Sequence, residues 1–513
     1  MWIVTAGQMR EIERRTMEEQ ALSGRALMER AGAQVFELVR ELLPERVAVV
    51  CGKGNNGGDG SIVARLAHDA GFQVGWFFAC REDELTEQAR EVMSAGVDAG
   101  VRPVFCDDPQ WKQLGEWLER ADVIVDALLG IGAASDLEGE LRFAVDAINA
   151  SDAPVVAVDV PSGIECDTGR ELGVAIRADV TLTFGAAKPF LFCGTGLSAA
   201  GEWSLVDIGL KQELLDEPTD ALLLEAEDML AGLPFRTIDS HKGDNGHLLI
   251  VAGSERMRGA AQLCVRAALR SGVGLVTVAA VEPVCAALAA ALPEAMVVPL
   301  PMRAGVVSPE AAALLLQLQE RVDAAVFGPG LTHDQPVLDL LRFLWPEWTK
   351  PTLIDADALN AASAGVPLPR GTKVLTPHPG EMARLLRKTV LEVEADRFRA
   401  ARDAAEEYGC TVLLKGRYTL VAQSGDPLLV NSTGNSGMAT GGMGDVLSGI
   451  IGALLAQGNE PRMAAAVGMY WHGAAADACE QAIGPIGYTA SEVADRLPEA
   501  RATILSTCDS NLQ

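Results

Sequence analysis

The feature that most constrains the fold is an alternation of short apolar runs with amphipathic stretches, which occurs twice along the chain. In the first half, apolar runs predict buried strands, and stretches such as Glu87–Ala95 and Gln110–Arg120 between them predict helices. The predicted strands are Val47–Cys51, Val74–Ala79, Val123–Asp126, Val155–Asp159 and Val180–Phe184. Such alternation is typical of an α/β domain with a mostly parallel sheet and helices on both faces.

The alternation lapses across the acidic segment Lys211–Asp239, which contains two prolines, and then restarts. We therefore predict a first domain over residues 1–212, a linker over 213–237 and a second α/β domain over 238–505. The second domain is predicted to contain a hairpin around 424–426 and two long closing helices at about Gly444–Ala456 and Arg462–Gln481. Its predicted strands are His247–Ala252, Leu275–Ala279, Ala324–Phe327, Thr352–Ile354, Lys373–Leu375, Thr411–Leu414, Tyr418–Ala422 and Leu428–Val430.

Composition excludes several classes of function. The formal net charge is −28, from 42 Lys+Arg against 70 Asp+Glu, and such a surface repels the phosphate backbone of nucleic acids. No run of 18 apolar residues occurs, so we expect no membrane span. The ten cysteines are scattered without metal-ligand spacing, which is typical of a reduced, cytoplasmic protein. We also expect a homo-oligomer.

A glycine-rich segment, Gly52–Gly60, follows a predicted strand and precedes a predicted helix. Glycines let backbone N–H groups approach a ligand closely, and a helix start adds a partial positive charge suited to a pyrophosphate. The spacing matches neither GxGxxG nor a Walker A loop. A simple tight turn is the alternative interpretation, although Asn-Asn-Gly-Gly-Asp is more polar than a turn requires.

Two aspartates end predicted strands of the same sheet. Asp126 is followed by Gly130-Ile131-Gly132, and Asp159 is followed by Pro161-Ser162-Gly163. In open α/β sheets, ligands bind beyond the carboxyl ends of the strands, so these side chains and the glycine-rich segment are expected to converge there. Either aspartate could instead be a helix N-cap.

These motifs, together with Thr183-Phe184-Gly185-Ala186-Ala187-Lys188, resemble the NAD(P)H-hydrate epimerase family, known as the YjeF N-terminal domain. The resemblance implies a Rossmann-like fold and a site for the hydrated dinucleotide. It implies that K⁺ is bound by Asn56, Asp126 and Ser162, and that Asp159 contacts the nicotinamide ring. The implied dinucleotide-binding residues are Asn55, Asn56, Gly57, Gly58, Asp59, Gly130, Ile131, Gly132, Ala133, Ala134, Ser135 and Asp136.

The implied chemistry is inversion at C6 of the hydrated nicotinamide ring. That carbon carries both the ring nitrogen and a hydroxyl, so inversion requires either loss of the hydroxyl or ring opening, followed by return from the other face. Both routes need proton transfer by a positioned acid or base. Asp159 is the candidate for this role, with Lys188 as its partner.

A second glycine-rich segment, Gly434–Asp445, leads into an apolar helix beginning at Val446. Glycines at a helix start point N–H groups at an anion. A carboxylate beside them, that of Asp445, can take the proton of a substrate hydroxyl while a phosphoryl group is transferred to that oxygen. An acidic first turn without catalytic function is the alternative interpretation.

The Gly-x-Gly-Asp element resembles the ribokinase-like superfamily, and further motifs narrow the resemblance to the ADP/ATP-dependent NAD(P)H-hydrate dehydratases. These motifs are 241–243 with 253–254, 293–296, 328–331, 355–360, 376–382, 415–416 and 435–449. The resemblance implies that Ala260, Gly330, His378 and Asp445 contact the hydrated nicotinamide nucleotide. The residues implied to bind the adenine nucleotide are Lys415, Gly416, Arg417, Tyr418, Thr419 and Gly444.

The family activity phosphorylates the C6 hydroxyl from ADP or ATP with Mg²⁺, with Asp445 as the base, and then eliminates phosphate. The sequence does not choose between ADP and ATP, or between hydrated NADH and hydrated NADPH. Asp355 and Asp357 could be helix N-caps or could bind water and metal near the phosphates. The alternatives for the whole chain are a ribokinase-like small-molecule kinase fused to a non-catalytic Rossmann-like ligand-binding domain, and a scaffold related to RNA-decapping proteins.

Overall fold

The structure, a computed structural model, describes residues 1–511. The chain forms two compact units, one over Met1–Ala221 and one from Leu222 onward. Both units are α/β, which confirms the predicted fold class. In the described part of the chain, no helix is at once long enough and apolar enough to cross a membrane.

The first unit contains a seven-stranded parallel sheet. In spatial order its strands are Pro103–Phe105, Gln73–Phe78, Arg46–Cys51, Val123–Ala127, Val155–Val158, Val180–Phe184 and Glu202–Val206. The order reverses between Arg46–Cys51 and Val123–Ala127, so a crevice opens beyond the carboxyl ends of these two strands. This arrangement confirms the Rossmann-like interpretation of the first half.

Helices cover both faces of this sheet, and their starts follow the capping rules. Thr5 forms a capping box with Gln8, and the side chains of Ser23 and Thr86 accept bonds from the first turns of the helices that follow them. The α-helices are Ala6–Gln20, Gly24–Glu41, Asn55–Asp69, Glu87–Asp98, Leu114–Leu118, Gly139–Asn149, Gly196–Ala199 and Gln212–Leu215. The 3-10 helices are Glu82–Glu84, Pro109–Gln113 and Pro189–Leu191.

Two apolar clusters hold the layers of the first unit together. Along the strand Arg46–Cys51, Val47 and Val49 pack into one cluster, whereas Ala48 and Val50 pack into the other. Successive side chains of a strand point to opposite faces, so this strand is buried on both sides. Its continuous run of apolar residues is the sequence signature of a central parallel strand.

The second unit contains a larger mixed sheet. In spatial order its strands are Leu428–Val430, Leu420–Ala422, Thr411–Leu414, Lys373–Leu375, Thr352–Ile354, Ala324–Phe327, His247–Val251, Leu275–Ala280 and Met296–Pro299. The strands from Thr411–Leu414 through Met296–Pro299 are parallel, and the predicted hairpin supplies the antiparallel strands. The strand Ala221–Leu223, at the unit boundary, falls in the segment predicted as linker, and Leu224 N–H donates to the Val430 carbonyl.

Eleven α-helices of the described chain belong to the second unit. They are Arg258–Arg270, Glu282–Ala291, Ala312–Gln319, Gln335–Leu344, Asp357–Ser363, Pro379–Leu386, Val390–Ala395, Arg397–Tyr408, Met443–Ala456, Pro461–Ile483 and Ala490–Asn511. The 3-10 helices are Ala226–Met229, Pro309–Ala311, Trp345–Glu347 and Ser436–Met438, and a small hairpin joins Met302–Arg303 to Val306–Val307. The two long closing helices were predicted within a few residues of their observed bounds.

The sequence pattern missed the strands that carry little apolar signal. Glu202–Val206 and Met296–Pro299 are edge strands whose side chains are mostly exposed or half-buried, so they lack a continuous apolar run. The stretch Gln110–Arg120, predicted as one helix, is a 3-10 turn over Pro109–Gln113 followed by the short α-helix Leu114–Leu118.

Gly449 allows two helices of the second unit to pack closely. A Cβ at this position would lie 2.2 Å from the carbonyl oxygen of Cys264, on the helix Arg258–Arg270. We expect Gly449→Ala to lower the free energy of unfolding of the second unit by about 1–3 kcal/mol, because one helix must shift. Gly259→Ala, where a Cβ meets nothing within 4 Å, is the matched control in a urea titration. A Gly449→Ala protein as stable as the control would contradict this packing.

Candidate functional site

The glycine-rich segment of the first unit lies at the crevice where the strand order reverses. At two of its glycines, neighbouring backbone leaves no room for a side chain. A Cβ on Gly52 would lie 1.8 Å from the carbonyl oxygen of Leu128, and a Cβ on Gly57 would lie 1.9 Å from the carbonyl oxygen of Gly52. The helix Asn55–Asp69 begins without a side-chain cap, at Gly54, so its first N–H groups are not satisfied by a capping side chain. This helix start therefore suits a phosphate group.

Asp126, at the end of the neighbouring strand, is fully buried. Its carboxylate accepts hydrogen bonds from the Ser162 hydroxyl at 2.6 Å, from the Ser162 N–H at 2.8 Å and from the Leu128 N–H at 3.2 Å. Burial raises the pKa of Asp126 to about 6, although these bonds oppose the rise. The predicted pair Asp126 and Ser162 thus meets in direct contact, and Asp126 is not a helix N-cap.

The loop predicted to bind the dinucleotide lies partly against the glycine-rich segment. A Cβ on Gly130 would lie 3.3 Å from Asn56 Oδ1, so this loop and the helix start are adjacent. Asn56 is buried, and its Nδ2 is without a hydrogen-bond partner. The far end of the loop is exposed, and Asp136 there is 3.8 Å from Arg170.

Asp159 and Lys188 form a buried ion pair, as their predicted partnership requires. The Lys188 Nζ donates to Asp159 Oδ1 at 2.8 Å and also to the Thr183 hydroxyl and to the carbonyl oxygens of Phe184 and Ala186. Asp159 Oδ1 also accepts from the Phe184 N–H at 3.1 Å. Asp159 has a φ of 68°, an uncommon conformation for a residue other than glycine that Asp and Asn tolerate best.

Two further carboxylates act electrostatically on this ion pair. Burial raises the pKa of Glu13 to about 7, and the Asp159 charge adds to the rise while Lys188 and Arg10 oppose it. Burial also raises the pKa of Asp59 well above its usual value, helped by the charges of Asp159 and Glu13. Asp59 was predicted as a site residue and Glu13 was not, because no local motif connects the first helix with the strand ends.

A second ion pair, between buried Asp355 and partly buried Lys415, lies in the second unit at the carboxyl ends of two strands. Lys415 Nζ donates to Asp355 Oδ1 at 2.7 Å, and the Ser448 hydroxyl donates to Asp355 Oδ2 at 2.7 Å. The helix that follows has Ala356 as its N-cap and no side-chain cap, so neither Asp355 nor Asp357 is an N-cap. A role for either aspartate in binding water or metal near the phosphates stays a prediction.

Asp445 lies in the first turn of the helix Met443–Ala456, near this ion pair. Burial raises the pKa of Asp445 to about 6, the charges of Asp355 and Asp357 add to the rise, and Lys415 opposes it. Glu381, also buried, lies 3.8 Å from Lys415 Nζ, and burial raises its pKa as well. The carboxylates at this site therefore outnumber the ammonium group that faces them.

A cavity of about 720 Å³ adjoins the ion pair. It is lined by all six residues predicted to bind the adenine nucleotide, together with Asn431, Ser432, Thr433, Gly434, Asn435, Ser436, Met438, Ala439, Met443, Leu447, Met469 and His472. Buried Arg397 fixes one wall by donating to the carbonyl oxygens of Arg417 at 2.6 Å and Lys415 at 3.2 Å. Pockets of this size accommodate a ligand as large as a nucleotide.

The residues predicted to bind the nicotinamide nucleotide fall around the same strand ends. A Cβ on Gly330 would lie 3.1 Å from the Cβ of Ala260, so these two residues are adjacent. His378 caps the helix Pro379–Leu386, because its Nδ1 accepts from the Gly380 N–H at 3.0 Å. Its side chain is half exposed, and burial, together with the charge of Lys415, lowers its pKa. Its Nε2 lies 3.5 Å from Glu381 Oε1.

These sites and folds define a protein of two α/β units, the second with a ribokinase-like fold. A ribokinase-like superfamily protein from Enterococcus faecalis V583 is a similar solved structure, with 27% identity, a TM-score of 0.50 and coverage of 56% of this chain and 96% of that one. A family model described as YjeF-related protein N-terminus matches residues 24–190, and one described as NAD(P)H-hydrate dehydratase matches residues 248–499.

Relatives that match along the whole length identify the family. The protein named bifunctional NAD(P)H-hydrate repair enzyme Nnr in Moorella thermoacetica is 38% identical over 509 residues, which cover 97% of this chain and 96% of that relative. The protein of the same name in Escherichia coli K12 is 39% identical over 490 residues, 95% of this chain and 92% of that relative. The chain belongs to the family of bifunctional NAD(P)H-hydrate repair enzymes.

The ion pair of Lys188 and Asp159 can be tested by its effect on stability. We expect Lys188→Met to lower the free energy of unfolding of the first unit by about 3–5 kcal/mol, because a buried carboxylate loses its cation. Asn is favoured at the φ of Asp159, so adding Asp159→Asn should recover part of this loss. The measurement is a double-mutant cycle by urea titration, and costs that simply add would show that the two side chains do not interact.

Proposed function

We propose that this chain restores NADH and NADPH from their hydrated forms, with each unit performing one step. The first unit interconverts the R and S epimers at C6, and the second unit dehydrates the S epimer at the expense of ADP or ATP. The observation that carries the proposal is the position of Asp445, in the first turn of the helix after the glycine-rich segment and next to Gly444, which lines the nucleotide-sized cavity together with Lys415.

The dehydratase step follows from the chemistry of the leaving group. Hydroxide leaves poorly and phosphate leaves well, so the C6 hydroxyl is first phosphorylated. Asp445 removes the proton of this hydroxyl as its oxygen attacks the terminal phosphoryl group of the nucleotide. Lys415 and the N–H groups at the start of the helix Met443–Ala456 stabilise the charge on the moving phosphoryl group. Loss of phosphate from C6 and of a proton from C5 then restores the double bond of the dihydronicotinamide ring.

The charge at this site fits a nucleotide that carries Mg²⁺. Asp355, Glu381 and Asp445 surround one ammonium group, that of Lys415, so nucleotide phosphates without a divalent cation would be repelled. Mg²⁺ prefers oxygen ligands and would neutralise phosphate charge during the transfer. Residues 415–419 and Gly444 would hold the adenine nucleotide, and Ala260, Gly330 and His378 would hold the hydrated ring beside Asp445.

The epimerase site is assigned to the strand ends of the first unit. Asp159 would contact the nicotinamide ring and exchange protons with the C6 centre, while Lys188 holds its carboxylate by a hydrogen bond. The segments Asn55–Asp59 and Gly130–Asp136 would hold the dinucleotide, the first of them through the N–H groups of an uncapped helix start. The exposed end of the second segment leaves space for the nucleotide portion.

A monovalent cation fits the first unit. The carboxylate of Asp126 is buried, and its hydrogen-bond partners are neutral, so a bound K⁺ would compensate its charge. Asn56 and Ser162 would supply neutral oxygens next to it. Among residues 1–511, no group of three or more His, Cys, Asp and Glu side chains is arranged to hold a metal ion, and the set proposed here has one carboxylate.

The proposed limits of the domains are 1–212 for the epimerase, 213–237 for the linker and 238–505 for the dehydratase. The ranges matched by the family models lie inside the two domains, and the division between the compact units falls inside the linker. All ten cysteines are free thiols, as suits a cytoplasmic location. That location and assembly into a homo-oligomer stay predictions.

Because each unit is proposed to perform one step, variants of the two units should differ in which epimer they fail to repair. Asp445→Asn should lower repair of both epimers by about 10²–10⁴-fold, because no base remains for the hydroxyl. Asp159→Asn should slow only the R epimer. Wild-type repair of the S epimer should fall as the pH decreases through about 6, since a protonated Asp445 cannot accept a proton.

The measurement is the return of reduced-nicotinamide absorbance from separated epimers, with Mg²⁺, K⁺ and either ADP or ATP. Asp403→Asn, at an exposed aspartate that pairs with Lys388, is the control for the second unit. Equal loss of both epimers in Asp159→Asn, or no recovery by the wild type with either nucleotide, would contradict the proposed function.

Binding of K⁺ should be visible without an activity assay. We expect K⁺, compared with tetramethylammonium at the same ionic strength, to raise the melting temperature of the first unit, because the cation binds only the folded state. Asp126→Asn should remove this difference. The same melting temperature in both salts for the wild type would contradict a potassium site at Asp126.

A further inference from the structure

Proton transfer at C6 needs a donor as well as a base, and Asp159 is poorly suited to donate. Its Oδ1 accepts hydrogen bonds from Lys188 Nζ at 2.8 Å, from the Phe184 N–H at 3.1 Å and from the Thr183 hydroxyl at 3.3 Å. Oδ1 thus accepts three hydrogen bonds, one of them from an ammonium group, and these contacts suit an acceptor of protons better than a donor. We therefore keep Asp159 as the base, and the proton must come from another group.

The first helix, Ala6–Gln20, is tied to both sides of the epimerase site. The Val4 N–H, just before the helix, donates to the Ala187 carbonyl oxygen at 2.9 Å, next to Lys188. Arg10 Nη2 donates to the Ile131 carbonyl oxygen at 3.3 Å, in the predicted dinucleotide loop. These bonds fix which face of the helix is turned towards the site.

Glu13 lies on that face. It follows Arg10 by three residues and Met9 by four, and residues at these spacings are neighbours on a helix surface. Met9 itself reaches the turn after the strand Val180–Phe184, where its Cε lies 3.0 Å from the position of a Cβ on Gly185. On the surface of the helix, Glu13 therefore neighbours Met9 and Arg10, which contact the turn leading to Lys188 and the predicted dinucleotide loop.

The charged groups that face Glu13 come from four elements. They are Arg10 on its own helix, Asp159 and Lys188 at the strand ends, and Asp59 on the helix after the glycine-rich segment. Three carboxyl groups thus share one buried ammonium, and all three cannot be ionised at low cost. Burial and Asp159 raise the pKa of Glu13 to about 7, so a large fraction carries a proton near neutral pH.

A separate observation indicates that a ligand binds in this crevice. Asn56 is more than nine-tenths buried beside Gly130, and its Nδ2 has no hydrogen-bond partner in the protein. Buried polar groups in native proteins are almost always hydrogen-bonded, so this amide calls for a ligand or a water molecule.

We propose that Glu13 is the proton donor of the epimerase site, acting opposite Asp159 on the hydrated nicotinamide ring. This inference rests on the proposed epimerase function of the first unit. It names a catalytic residue on an element that no motif of the site includes. Enzymes often place two nearby carboxyl groups in different environments. One of them then keeps a proton and acts as the acid, and the other acts as the base.

The step balances for ring opening. Asp159 accepts the proton of the C6 hydroxyl, the C6–O bond becomes a carbonyl, and the bond between C6 and the ring nitrogen breaks. The electron pair of that bond goes to the nitrogen, which takes the proton of Glu13. Rotation about the C5–C6 bond presents the other carbonyl face, and the reverse steps return both protons to their original groups. Nothing is oxidised or reduced.

The test uses the full-length chain, whose second unit serves as an internal control. Separated R and S epimers are supplied with Mg²⁺, K⁺ and nucleotide, and the return of reduced nicotinamide is followed. We expect Glu13→Gln to slow repair of the R epimer by about 10²–10⁴-fold, or to the spontaneous rate, and to leave the S epimer unaffected. Glu18→Gln, at an exposed glutamate of the same helix, should behave as the wild type.

The pH dependence of R-epimer repair by the wild type is a second, independent test. Repair of the R epimer should decline as the pH rises above about 7, because Glu13 loses the proton it must donate, and Glu13→Gln should lack this dependence. If Glu13→Gln melts at a lower temperature than Glu18→Gln, its loss of activity could reflect lost stability, and the pH dependence of the wild type is then the test. A rate of R-epimer repair that declines above about pH 7 supports the proposal, and a rate that does not change with pH overturns it.

Each remaining outcome has a fixed meaning. If the Glu13→Gln protein repairs the R epimer at the wild-type rate, the proposed role of Glu13 is overturned and the proposed epimerase function of the first unit stands. A wild type that repairs the R epimer no faster than spontaneous epimerisation contradicts the epimerase function itself, and the assignment of Glu13 with it.

Discussion

Both candidate sites depend on the same interaction, a lysine ammonium held by a buried aspartate at the carboxyl ends of parallel strands. The Nζ···Oδ1 distance is 2.8 Å between Lys188 and Asp159 in the first unit and 2.7 Å between Lys415 and Asp355 in the second. A buried ion pair contributes little net stability, yet removing one partner is costly. Such a pair therefore fixes the geometry of the groups around it. Burial raises the pKa of Glu13 and of Asp445, the aspartate of the nearby pair adds to each rise, and the lysine opposes it.

The two units use their ion pairs differently. In the first, Lys188 is fully buried and donates a hydrogen bond to Asp159, and the raised pKa of Glu13 leaves a proton on a neighbouring group. In the second, Lys415 borders a cavity, so its ammonium can also face phosphate oxygens, and Asp355 is further held by Ser448. The first arrangement suits proton exchange at one carbon, and the second suits phosphoryl transfer to a hydroxyl.

The sequence could predict those site residues that belong to a local motif, and it could not predict contacts between distant segments of the chain. The positions of Asp126, Asp159 and Asp445 could be predicted, because each directly follows a strand or opens a helix. The pairing of Lys415 with Asp355 joins residues 60 positions apart, and the position of Glu13 depends on bonds from the first helix to loops far along the chain. Neither leaves a local pattern. The roles of Gly52 and Gly57 were also only partly predictable, because their close contacts are with the chain's own backbone.

The central claim is that Asp445 activates the C6 hydroxyl for phosphorylation, and that the phosphate is then eliminated. The most direct test is to measure inorganic phosphate and reduced nicotinamide together while the wild-type chain consumes the S epimer. The account predicts one free phosphate for each dihydronicotinamide formed, with no phosphorylated product at the end. A phosphorylated product that accumulates without recovery of reduced nicotinamide would contradict the account and identify a small-molecule kinase instead.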